Sequence, residues 1–111
     1  MDELLGERGL LLTPTVASEG WLADGRLSVD ATVHGLPPEV YSTAMQNVTG
    51  HPALSVPFGA LPTGLPFGLQ ITAAHFHDYR LLDIAAVVED AHPWLRTAPG
   101  YASLSDVLDV D

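Results

Sequence analysis

Two stretches of the chain alternate strictly between apolar positions and small or polar ones. Across Pro52–Phe58, Leu54, Val56 and Phe58 fall on one side, Ala53 and Ser55 on the other. Phe67, Leu69 and Ile71 alternate in the same way with Gly68, Gln70 and Thr72. Successive strand residues point to opposite faces, so this period of two predicts two strands, each with one apolar face. The linker Gly59–Pro66 is rich in glycine and proline. A β-hairpin with a wide turn is therefore expected around residues 52–72. The small side chains of Ala53, Ser55 and Gly68 permit another backbone or helix to approach closely.

The period changes after the hairpin. Leu81, Ile84, Ala85, Val88 and Ala91 recur at helical spacing, with Arg80, Asp83 and Asp90 on the solvent side. Asp78 is the expected N-cap and Pro93 the stop, which predicts a helix around residues 78–92. Leu82, Ala86 and Val87 widen the apolar area beyond one stripe, so cover on more than one side is expected. Upstream, Gly9–Thr15 is a short apolar run that halts at Pro14, the mark of a buried strand ending in a turn. Val16–Pro38 reads as a long connection with a weak strand at Arg26–Val33. Pro38 suits the first turn of a short helix running to about Val48, closed by Gly50. A second amphipathic segment, at Ser103–Val110, reads as surface helix or frayed end.

Composition narrows the class. The chain has 111 residues, 47% of them hydrophobic and only 16% charged, against an ordinary charged share of about 25%. It is one small domain, 1–111, more apolar than a free-standing one needs to be, and it reads as part of a larger core or a protomer with a large partner surface. A formal net charge of −10 with four Lys and Arg together argues against nucleic acid and against an anionic membrane as partners. Zero cysteines exclude a disulfide framework and a Cys-ligated zinc site. The N-terminal stretch MDELLGERGLLL is acidic where a signal peptide is basic, and its apolar run Leu10–Leu12 falls far short of the ~20 residues that span a bilayer. A cytoplasmic location is the default expectation, and Asn47-Val48-Thr49 then matches a glycosylation acceptor by chance.

Several motifs in order carry a family resemblance. Gly9–Thr15 (GLLLTPT) is one. Asn47-x-Thr49-Gly50-x-Pro52-Ala53-Leu54-Ser55-Val56-Pro57 is the second, and Gly64-Leu65-Pro66-x-Gly68-Leu69-Gln70-Ile71 is the third. A helix with Leu81-Leu82, Ala85 and Glu89 follows. Together, over about residues 9–95, they resemble the C-terminal block of the amidase-signature family, serine hydrolases that cleave amide C–N bonds. The resemblance implies an α/β fold: part of a mixed β-sheet with covering helices, the C-terminal piece of a larger α/β/α domain. It also implies no metal or organic cofactor. The family's reaction needs a Ser–Ser–Lys relay on a glycine- and serine-rich loop, because a serine hydroxyl attacks well only when a base takes its proton. This chain has no lysine, no Ser-Ser pair and no such loop, so no residue in it inherits a catalytic role.

Other candidate residues have plainer readings. Ser55 lies in a motif but outside any Gly-x-Ser-x-Gly elbow, and reads as a small residue in a packed strand. His75, His77 and Asp78 have the spacing for metal ligands on a strand, but a solvated cluster at a helix start is favoured, and no metal is expected. His34, His51 and His92 are isolated in sequence; His92 suits a helix C-terminus. Asp83, Glu89 and Asp90 form a solvated face, and Trp21 and Trp94 are packing or interface residues. Asn47 and Thr49 are the substrate-binding candidates, as polar groups where a helix turns into a strand, with local turn hydrogen bonding as the alternative.

The leading expectation is thus the C-terminal segment of an amidase, either a structural or pocket-wall part partnered by an N-terminal amidase fragment or a truncated product. The alternative is a non-catalytic module that self-associates or binds another protein through its leftover apolar sheet face.

Overall fold

The computed structural model describes residues 1–16, 23–24, 41–95 and 100. The elements in order are helix α1 (Asp2–Leu5), strand β1 (Leu11–Pro14), helix α2 (Ala44–Thr49), strands β2 (Ala53–Ala60) and β3 (Pro66–Thr72), and helix α3 (Asp78–Ala91). The three strands form one antiparallel sheet in the order β1-β3-β2. With helices against it, this is a piece of a mixed α/β fold.

The hairpin forms as its alternation predicts. Leu54 pairs with Ile71 and Val56 with Leu69, so four apolar side chains share a face. An extra residue, Phe58, bulges out between Pro57 and Gly59, which lets the paired strands run on to Ala60 and Pro66. The turn is therefore narrower than Gly59–Pro66. It is closed by Leu61 N–H donating to Leu65 O at 2.8 Å and Gly64 N–H donating to Leu61 O at 2.8 Å.

Helix α3 covers the apolar face. Val56, Ile71, Ala73 and Leu81 make the buried centre, with Leu10, Leu54, Leu69, Ile84, Ala85 and Val88 packed around it. The expected stripe thus points inward, apart from Ala91, which is exposed at the helix end. The second apolar flank lies open: Leu82 is 57% exposed and Val87 69%. His77, not Asp78, is the N-cap, and Asp78 is the first helical residue, where its charge favours the helix N-terminus. Arg80, expected to face water, donates from its guanidinium to the carbonyl oxygens of Glu7 and Arg8.

The opposite face is polar. Gln70 and Thr72 alternate away from α3 and are buried, and helix α2 meets them there. The Gln46 amide shares a 2.9 Å hydrogen bond with the Thr72 hydroxyl, and Gln70 Nε2 donates to Ser42 O at 2.7 Å. Gln46 itself satisfies its amide best with its nitrogen on Ser42 O, 2.8 Å, and its oxygen accepting from Thr72 and from Gln70. Buried amides and hydroxyls are costly unless paired, and here each has a partner. Gly50 ends α2 in the left-handed conformation at φ 75°, as its place after the helix suggests. The expected helix start at Pro38, the weak strand Arg26–Val33 and the segment Ser103–Val110 lie outside the described residues, as do Trp21 and His34.

Gly68 shows why one strand position must stay small. A Cβ there would lie 2.8 Å from both Ser55 Oγ and Thr15 Oγ1. Those two hydroxyls bond to each other at 2.5 Å, so Ser55 is an exposed strand residue engaged with Thr15 instead of a packed one.

Two substitutions test this packing. Ile71→Ala, which empties a site 1% exposed, lowers the unfolding free energy by about 2–5 kcal/mol in urea denaturation followed by circular dichroism. Gly68→Ala forces the Thr15–Ser55 pair apart and lowers it by about 1–3 kcal/mol, whereas Gly64→Ala in the turn leaves that pair's hydroxyl signals unmoved in NMR spectra.

Candidate functional site

The polar residues of interest gather where α2 becomes β2, beside the turn from β3 into α3. Thr49 is the hub. Its hydroxyl donates to Met45 O at 2.7 Å, back-bonding within its own helix. The same oxygen lies 2.7 Å from His51 Nδ1. A threonine hydroxyl has one hydrogen, already given to Met45, so here it accepts and His51 Nδ1 carries the proton. The Thr49 carbonyl oxygen lies 2.9 Å from His75 Nε2. A carbonyl only accepts, so His75 Nε2 is protonated too. Both rings are thus held in defined tautomers by one residue.

The two remaining ring nitrogens converge on Asp2. His51 Nε2 lies 3.0 Å from Asp2 Oδ1, and His75 Nδ1 lies 2.6 Å from Asp2 Oδ2. The His75 backbone N–H also donates to Asp2 Oδ1, at 3.1 Å. The two rings stack with centroids 3.9 Å apart. His51 is buried, while Asp2 and His75 keep one side open to solvent. The turn that delivers His75 contains Phe76, a non-glycine residue at φ 65°, an uncommon conformation for a bulky side chain.

Asp2 belongs to a one-turn helix anchored by buried Leu5. Its carboxyl is held down to about 2 from its ordinary value, first by the hydrogen bond from the His75 ring and then by that from the His75 backbone. His75 is pushed up from its ordinary value, chiefly by the Asp2 side chain and then by the Thr49 carbonyl, against the opposing effect of burial.

The arrangement regroups the residues singled out in the sequence. His75 belongs to the cluster, but His77 and Asp78 do not: His77 Nδ1 turns back to the His75 carbonyl at 2.9 Å. His51 and Asp2, unremarkable in sequence, complete it, and Asp2, His51 and His75 are the group of possible metal donors among the described residues, their atoms within 4.8 Å of one another. His92 caps the C-terminal end of α3 and lays its ring 4.9 Å from that of Phe58. Asn47 is exposed, its amide donating to Thr43 O at 3.1 Å, while the Thr49 hydroxyl is engaged on both sides.

The charge linkage sets a pH window. Asp2, with its pKa depressed from 3.8 to about 2, stabilises the folded chain above 3.8, and this is lost as pH falls through 2. His75, raised from 6.5, contributes fully below 6.5, and this is lost as pH rises through its higher folded value. Docking of α1 is therefore strongest between 3.8 and 6.5. In chelator-containing buffer, protection of the His75 amide against hydrogen exchange is expected to peak in that window. Asp2→Asn should return the His75 ring titration, followed by NMR, toward the ordinary histidine value.

The amidase family, described simply as Amidase, matches residues 1–82. A protein of Mycobacterium leprae described as "Putative amidase AmiC" is 38% identical over 95 residues, 82% of this chain and 20% of the relative. A 6-aminohexanoate-cyclic-dimer hydrolase of Paenarthrobacter ureafaciens is 36% identical over 101 residues, 81% of this chain and 20% of the relative. A 6-aminohexanoate-cyclic-dimer hydrolase of a Pseudomonas species is 45% identical over 53 residues, 48% of this chain and 11% of the relative. The chain spans about a fifth of the length of the first two. No solved structure matches it significantly. A family match over well more than half of the chain, joined to the ordered strand motifs that form β1, β2 and β3, establishes that this chain belongs to the amidase family.

Proposed function

We propose that this chain serves as the C-terminal sheet-and-helix segment of an amidase, building the scaffold and one wall of the pocket in an assembly that hydrolyses amide C–N bonds. What carries this reading is the family match over residues 1–82 on a chain about a fifth as long as its relatives. The sequence contains no lysine, and the Ser–Ser–Lys relay implied by the family resemblance has no counterpart here. The nucleophile, its base and the oxyanion donors would come from an N-terminal amidase portion.

The surface supports a partner of that kind. Leu82 and Val87 leave one flank of α3 apolar and exposed, and Leu12 is 57% exposed at the edge strand β1. Exposed apolar side chains of this sort fit an interaction face. Asn47 and Thr49 then stand at the end of the sheet as part of the substrate wall. Asn47, being exposed, is the better placed of the two to meet a ligand, while Thr49 orients its neighbours.

Mixing the chain with an N-terminal amidase fragment that carries the Ser–Ser–Lys residues should produce amide hydrolysis, read as released ammonia or amine, that neither part shows alone. In the active mixture Asn47→Ala should lower kcat/KM about tenfold, the worth of one hydrogen bond of ~1.4 kcal/mol. A demonstrably assembled but inactive pair overturns the proposal. The same exposed edge favours a second reading, a self-associating module; a stable dimer in light scattering that refuses the amidase fragment would select it, and a clean monomer would eliminate it.

A further inference from the structure

The cluster of Asp2, His51 and His75 brings two imidazole nitrogens and a carboxylate together from three separate segments of the chain. With Nδ1 protonated toward Thr49, a neutral His51 presents the lone pair of Nε2 to Asp2 Oδ1 at 3.0 Å. Two acceptors that face each other at that distance need a cation or a proton between them. The His75 ring stacks beside that of His51, centroids 3.9 Å apart, with its Nδ1 on the same carboxylate at 2.6 Å. A single cation shared by the two ring nitrogens and the carboxylate answers that need.

We propose that Asp2, His51 and His75 bind a divalent transition-metal ion of the zinc class, through His51 Nε2, His75 Nδ1 and the Asp2 carboxylate. These atoms lie within 4.8 Å of one another. Two imidazoles and one carboxylate suit zinc, cobalt, nickel or copper, whereas calcium and magnesium prefer oxygen throughout. The distal side of each ring is already set as metal-binding histidines require. His51 Nδ1–H donates to the Thr49 hydroxyl and His75 Nε2–H donates to the Thr49 carbonyl, which fixes tautomer and ring orientation. The half-exposed Asp2 and His75 leave a fourth position for water.

The bound ion would clamp three separate segments: the N-terminal helix α1, the α2–β2 junction and the β3–α3 turn. Neither His77 nor His92 takes part. Metal binding shares Thr49 with the proposed substrate wall but is read without amide hydrolysis, so it stands or falls apart from the proposed function.

The test uses the whole chain, carrying no polyhistidine tag and no added N-terminal residues, titrated with Zn²⁺ alone by calorimetry and with Co²⁺ alone by visible absorption. One Zn²⁺ per chain and a Co²⁺ ligand-field spectrum are expected, together with a Zn²⁺-dependent rise in Tm that a chelator reverses. Asp2→Asn and His75→Gln, both at solvent-accessible positions, should each weaken Zn²⁺ binding at least tenfold, as should His51→Gln. Thr49→Val should weaken it about 10–100-fold through its loss of ring orientation. His92→Gln should bind as the parent does. Circular dichroism without metal checks that each variant is folded. Absence of saturable Zn²⁺ binding overturns the proposal, as does binding that survives His51→Gln and His75→Gln together. Equal loss in His92→Gln overturns it as well, because the ion would then lie elsewhere.

Discussion

The other described elements are registered against β3. Its edges are hydrogen-bonded to β1 and β2, and its faces meet different helices. Ile71, 1% exposed, points to α3, and Thr72, fully buried, points to Gln46 of α2. The first contributes by leaving water, about 1.5–3 kcal/mol for a side chain of that size. The second contributes only because its hydroxyl has a partner, since an unpaired buried hydroxyl would cost free energy. A slip of one residue would turn Gln70 and Thr72 onto the apolar helix and Ile71 onto the amide of Gln46. Register is therefore specified from both sides at once. The strand runs on through Ala73, whose N–H donates to Pro52 O at 3.1 Å, and so the same register decides where His75 emerges.

Electrostatics then gathers the N-terminal segment onto this frame. In a chain of formal charge −10 without lysine, the cationic and ring donors are arginines and histidines. Arg80 holds the carbonyls of Glu7 and Arg8, while the His75 ring and backbone N–H hold the carboxylate of Asp2. Exposed charge contacts are each weak, and what makes these effective is that they share one ordering cost with the burial of Leu5. The consequence is a polar junction where residues from three distant parts of the chain meet. This chain of the amidase family thereby contains a chemically specific corner.

Much of the architecture was legible beforehand. The period-two runs became β2 and β3, the helical stripe became α3 to within one residue at either end, and Gly9–Thr15 held the strand β1. Gly50 took its left-handed place after α2. These features are local: alternation, helical spacing and glycine's freedom at positive φ act within a few residues. The bulge at Phe58 was less legible, because alternation alone does not reveal which residue a strand will leave unpaired. The one turn of α1 also escaped, since four residues are too few for periodicity to show and its hold comes from distant contacts.

The site followed another logic. His75 stood out in the sequence only for its neighbours His77 and Asp78, and tertiary packing set it instead beside a histidine 24 residues earlier and an aspartate near the chain start. The sequence by itself determined the family, the strands, the main helix and the absence of a lysine base, because motif order and local periodicity are written in neighbouring residues. Only the tertiary structure decided which histidines meet, which of their nitrogens bear protons and what Arg80 holds, because those facts depend on hydrogen-bond partners that distant segments supply across the folded sheet.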